Sequence, residues 1–192
     1  MLGCYVQTHL AESPAEVMAV REAFPERLDG VDVLAEMGLL TDRTLFGHGV
    51  FLSRAQRQQV AEAGTTIVHC PTANLFLESG LMDYVAHRSA GIRMALGSGV
   101  GGGPNPFMPQ VAVDFLQTAK GLKVYAMPRR THDVPTPAEA WWLLTRGAAA
   151  ALHMDDRIGS VESGLEADLL VVRPEPWIAE LPPDQRISAL LY

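Results

Sequence analysis

The chain has 192 residues, 48% of them apolar, and a net charge of −7. That is ample material for a core, and an acidic balance with scattered basic residues excludes a nucleic-acid or anionic-membrane surface, which needs clustered Lys and Arg. No run approaches the roughly 18 apolar residues of a membrane span, Met1 to His9 lacks a signal-peptide pattern, and two cysteines, Cys4 and Cys70, make no disulfide framework; a cytoplasmic location is expected.

Gly3 to Thr8 reads as a strand. Ser13-Pro14-Ala15-Glu16 has the form of a capping box with proline at the first helical position, and opens a helix to about Ala23. Val31 to Met37 predicts a second helix, stopped by Gly38. Thr44 to His48 is the next strand. Ser53-Arg54-Ala55-Gln56 repeats the capping box and starts a helix that Gly64 ends. Thr65 to Cys70 is a third strand, β-branched and apolar at consecutive positions, as in a strand covered on both faces. A polar loop, a helix around Met82 to Ser89, and a fourth strand at Gly91 to Leu96 follow. Helices around Gln110 to Lys120 and Ala138 to Leu152 come next. The alternation implies parallel strands joined by right-handed crossovers. A closed barrel needs eight such units, and about four are present. The tail changes character: residues 157–164 and 167–172 read as two short strands around a Gly-centred turn.

Chemistry-bearing residues gather at the strand ends, in Gln7 to Glu12, Gly47 to Gly49, His69 to Asn74 and Leu96 to Gly103. In a β/α barrel the C-terminal tips of the strands face one cavity. At the first tip, the neutral imidazole of His9 is a good zinc ligand, and Glu12 three residues on can shuttle protons in the same pocket. Taken alone, His-x-x-Glu is a weak signal, because a helix entry also gives both residues solvated roles. His48 stands between two glycines in a tight turn from which only the imidazole projects, although a lone histidine is more often hydrogen-bonded to backbone. Cys70 reads as a small core residue. Gly101-Gly102-Gly103 is not a phosphate loop, since no Gly-Lys-Ser/Thr follows. His87, His132 and His153 show no ligand spacing and read as surface residues. Trp141-Trp142 reads as core, and Asp155-Asp156-Arg157 as a solvated turn.

The order and content of the four tip segments resemble the later half of guanine deaminases, zinc enzymes of the amidohydrolase superfamily. The resemblance covers nearly the whole chain but about half of a complete enzyme. It implies an α/β fold, part of a TIM-type (β/α)8 barrel comprising about its last four units, over residues 1–155. Residues 156–192 would then supply C-terminal strands of the accompanying small β-sandwich. It also implies that His9 and His48 bind Zn2+ and that Glu12 is the general acid/base. Within the signature His69-Cys70-Pro71-Thr72-Ala73-Asn74, His69 and Asn74 would position loops and ligands. The reaction would convert guanine and water to xanthine and ammonia.

The chain also departs from the pattern. Gly97-Ser98-Gly99-Val100 stands where the family reads Gly-Thr-Asp-Val, and that aspartate both completes the zinc site and accepts a proton from the attacking water. Gly99 can do neither. Ser98 is a poor ligand and points to the opposite face of the strand. The family's His-x-His pair is absent from the sequence. Two histidines fall short of the three protein ligands of a catalytic zinc, so zinc is expected to be weak or absent in this chain alone. An opened barrel exposes strand edges at Cys4 to Thr8 and Ile92 to Leu96, which predicts a homo-oligomer or pairing with an N-terminal half. Two other readings stay open: an amidohydrolase deaminating another cyclic amidine, such as a triazine or adenosine derivative, and a non-catalytic barrel half serving as an interaction module.

Overall fold

Four short apolar runs build one parallel sheet. The computed structural model describes residues 3–126 and 133–192. In it β1 (Val6–Leu10), β2 (Thr44–His48), β3 (Thr66–His69) and β4 (Arg93–Leu96) lie side by side in chain order, every pair parallel. Register places Leu10 beside His48 and His69 beside Leu96, so the C-terminal ends share one rim. Phe46, Ile67 and Met94 form a row across the sheet. This row shares a core with Leu10, Val31, Val60, Phe115 and Leu143. Full burial of side chains this size stabilises by about 1.5–3 kcal/mol each.

The strands are joined through α1 (Pro14–Ala23) and α2 (Gly30–Glu36), then α3 (Arg54–Glu62), then α4 (Pro71–Phe76) and α5 (Tyr84–Ser89). After β4 come α6 (Met108–Tyr125), α7 (Pro137–Leu144), α8 (Arg146–Ala151), α9 (Pro176–Ala179) and α10 (Pro183–Ala189). The caps are local chemistry. Ser53 and Gln56 close a complete capping box at α3, and Asp29 accepts from the first-turn amides of α2. At α1 only half of the expected box forms. Ser13 accepts from the Glu16 N–H, while the Glu16 carboxylate reaches past the cap to the N–H groups of Ala11 and Glu12.

Several expectations are corrected. The segment after His69 is not a polar loop: Pro71 occupies the first turn of α4, where its missing N–H costs nothing. The helix expected over Ala138 to Leu152 breaks at Thr145, whose backbone (φ −122°, ψ −102°) leaves the helical region. Trp141 is partly buried and donates from Nε1 to the Ile187 carbonyl at 3.0 Å, whereas Trp142 is half exposed. His87 is fully buried rather than on the surface. His153 is exposed, and His132 lies outside the described residues.

The tail strands do not form a ladder. Residues 157–164 belong to a loop closed by the Glu166 N–H on the Arg157 carbonyl (2.7 Å) and by the Arg157–Glu166 ion pair. Residues 167–172 run without strand pairing, leaving Leu170 and Val171 80% and 93% exposed. Apolar and β-branched sequence favours a strand, but a ladder requires a neighbour for its amides. Among the described residues this segment has none.

Candidate active site

The site grows from the tips of β1 and β2. His9 is the penultimate residue of β1, and Gly47 beside it gives its ring room, since a Cβ there would sit 3.3 Å from His9 Cδ2. The chain turns at Ala11 with φ +48°. Glu16 fixes that turn, its two carboxylate oxygens accepting from Ala11 N–H at 2.8 Å and Glu12 N–H at 2.6 Å. The Glu12 side chain then points at β2. Its Oε1 accepts from Ser79 Oγ at 2.9 Å, and its Oε2 lies 3.5 Å from His48 Nε2.

His48 is buried and sits on two successive left-handed residues, φ +73° at His48 and +62° at Gly49. A non-glycine residue in that region costs roughly 1–2 kcal/mol, so surrounding contacts must hold it there. One of them is Asn74, whose Oδ1 lies 2.6 Å from His48 Nδ1. An amide oxygen only accepts, so Nδ1 carries a proton, while Nε2 faces a Glu12 carboxylate oxygen, an arrangement satisfied by a proton or a cation between them. The His9 and His48 ring centroids are 5.3 Å apart. His9, Glu12 and His48 therefore converge on one spot.

The remaining sequence candidates divide. Asn74 contacts His48. His69 instead packs edge-on against Phe115 of α6, its Nδ1 without a hydrogen-bond partner among the described residues. Burial pushes its imidazole down to about 3, so it stays neutral. Burial also raises the Cys70 thiol to about 11, which keeps it protonated at neutral pH. At the tip of β4, Gly99 has φ +62°, and a Cβ there would lie 2.6 Å from Ala73 Cβ. Its carbonyl is capped by the amides of Gly102 and Gly103, and Ser98 Oγ accepts from Val100 N–H. No donor for a ligand is offered there. Among the described residues no group of three or more His, Cys, Asp or Glu side chains is arranged to hold a metal. His9 and His48 are two imidazoles with ring centroids 5.3 Å apart, fewer than the three protein ligands that a catalytic zinc needs.

Sequence reasoning missed Ser79 and the clamp by Glu16. A loop serine carries no signal, but a glutamate in the first turn of a helix is a visible one, since it has nearby amides within reach.

Parallel strands carrying an imidazole–carboxylate–imidazole cluster on their C-terminal rim define part of a β/α barrel with its site in the usual place. The chain matches the model of the amidohydrolase family over residues 1–191 and belongs to that family. It is 32% identical over 171 residues to the guanine deaminase of Mus musculus, covering 88% of this chain and 37% of that protein. It superposes on the guanine deaminase of C. acetobutylicum, solved with bound guanine, with a TM-score of 0.87 and 25% identity, over 97% of this chain and 44% of that one. An adenosine deaminase from Xanthomonas campestris with bound zinc gives a TM-score of 0.75 at 30% identity, over 85% and 36% of the respective chains. The chain thus spans less than half the length of each of these relatives.

Proposed function

We propose that this chain supplies the later barrel units of a guanine deaminase-type hydrolase, with residues 1–155 as barrel and 156–192 as its sandwich contribution. The observation that carries this reading is the convergence of His9, Glu12 and His48, with His48 held through Nδ1 by Asn74 and its Nε2 turned to Glu12. In this reading His9 and His48 hold zinc together with donors that this sequence does not contain. When bound, zinc lowers the pKa of its water to about 7. Glu12 takes one proton from the water as it adds to the amino-bearing carbon of guanine and passes it to the adjacent ring nitrogen. The C–N bond then breaks, the amino group leaves as ammonia with the water's second proton, and the water oxygen remains as the new carbonyl of xanthine. Ser79 holds Oε1 of Glu12 and so keeps Oε2 turned toward the substrate side. Gly99 offers no carboxylate to take the second proton of the water, so the chain alone turns over guanine at background.

The edge expected at Ile92 to Leu96 is buried against α7 and α8, whereas β1 exposes Val6 and Gln7 and would be the strand on which further barrel units, or a second copy, pair. The test is zinc content and ammonia release from guanine, measured for the chain alone and with the N-terminal half of a relative supplied in trans. Background in the first case and Glu12-dependent turnover in the second are expected. A complemented assembly that binds zinc but works equally well as Glu12→Gln refutes the assignment.

A further inference from the structure

His87 stands outside every sequence motif, yet it is fully buried and spans from α5 to the turn that carries His48. Its Nε2 lies 2.9 Å from the Gly49 carbonyl, and its Nδ1 lies 2.8 Å from the Asp83 carbonyl. The two acceptors are not equivalent. The Asp83 carbonyl already receives the His87 main-chain N–H at 3.2 Å. Among the described residues the Gly49 carbonyl is served by His87 alone. A buried carbonyl requires a donor, so the ring proton belongs on Nε2. Burial also lowers the pKa of this imidazole, in keeping with a neutral ring carrying that single proton.

Gly49 is the second of the two left-handed residues that set the direction of His48. Its N–H is tied to the Leu10 carbonyl at 2.8 Å, and its carbonyl is tied to His87. Both ends of the turn are thereby fixed, one to β1 and one to α5. We infer that His87 is a positioning residue: its Nε2–H bond to the Gly49 carbonyl holds the His48–Gly49 turn so that His48 Nδ1 meets Asn74 and Nε2 faces the site. Releasing that carbonyl frees the peptide plane after Gly49 to rotate, and the Asn74 contact with His48 loosens with it. The geometry of this inference is independent of what His48 binds. Only its effect on metal rests on the function proposed above.

The experiment reads ring tautomers in the metal-free chain by long-range 1H–15N spectroscopy, then titrates in zinc alone. In the wild type, His87 is expected as the Nε2–H tautomer and His48 as the Nδ1–H tautomer. His87→Leu removes the donor, and His48 is expected to lose its single tautomer. His87→Gln places an amide donor where Nε2 lies and restores it. His87→Asn is too short to reach Gly49 and behaves as leucine does, which serves if the leucine variant fails to fold. A wild-type His87 protonated on Nδ1, or a His48 tautomer unchanged in the leucine or asparagine variant, overturns the inference. Zinc affinity at the His9–His48 pair should fall about 10- to 100-fold in the donor-less variants and recover in glutamine. Wild-type zinc binding that leaves both rings unperturbed counts against the proposed function and leaves the tautomer result to decide His87.

Discussion

The tips of β2 and β4 belong to one sheet and were built with opposite purposes. At β2, a strained histidine is gripped on each side: Asn74 on its Nδ1, Glu12 before its Nε2, and His87 on the carbonyl that follows. At β4, a run of glycines folds back on itself and packs its main chain against Ala73. One tip spends backbone strain to aim a side chain, and the other uses glycine to bring backbone close where no side chain is aimed. One sheet thus holds a tip that aims a side chain and, two strands away, a tip that closes on its own main chain.

The contrast can be broken most directly at His48. His48→Ala removes the aimed ring, and zinc-induced shifts of the His9 ring should weaken by more than about 100-fold, beyond the effect of losing a supporting hydrogen bond. If His9 responds to zinc as before, β2 is not the organising tip. Between the tips lies His69, which pairs with Leu96 of β4. Its imidazole is held at about 3 when folded against 6.5 ordinarily, so the unfolded chain binds the extra proton between those values. Stability is therefore level above pH 6.5 and falls as pH drops from 6.5 toward 3, by an amount on the order of a few kcal/mol. Urea midpoints should show this slope, and His69→Leu should flatten it, leaving the part due to buried His87.

A smaller effect is expected at Asn74. Asn74→Ala frees His48 Nδ1, and zinc affinity should drop about 10- to 100-fold with little change at His9. Gly99→Asp tests the other tip. The new Cβ meets Ala73 at 2.6 Å in a left-handed conformation, so thermal unfolding should show a loss of about 1–3 kcal/mol, with ammonia release still at background. Turnover restored by that change alone would mean that β4 is not closed. The smallest effect belongs to the tail: Leu170 is 80% exposed, and Leu170→Asp should change stability of the chain by no more than about 0.5 kcal/mol.

Local signals were legible wherever neighbours in sequence decide the structure. β2 runs over Thr44–His48 as its residues announce, and Ser53 caps α3 through its own first turn. The convergence of His9 and His48 follows from parallel register, which the strand–helix alternation implies. What escaped was set by distant partners. The burial of His87 depends on Gly49, 38 residues away, and no spacing rule encodes that. The tail failed for the opposite reason: Leu169 to Val172 carry strand propensity, but propensity forms no ladder by itself. At Ser13 the capping signature was present, yet Glu16 found better-placed amides at Ala11 and Glu12.

That last choice links a helix to the residue whose carboxylate faces His48. Because the Glu16 carboxylate of α1 accepts from the N–H groups of Ala11 and Glu12, the backbone of Glu12 is anchored to the first turn of α1 as well as to the end of β1, and the direction of its side chain depends on both.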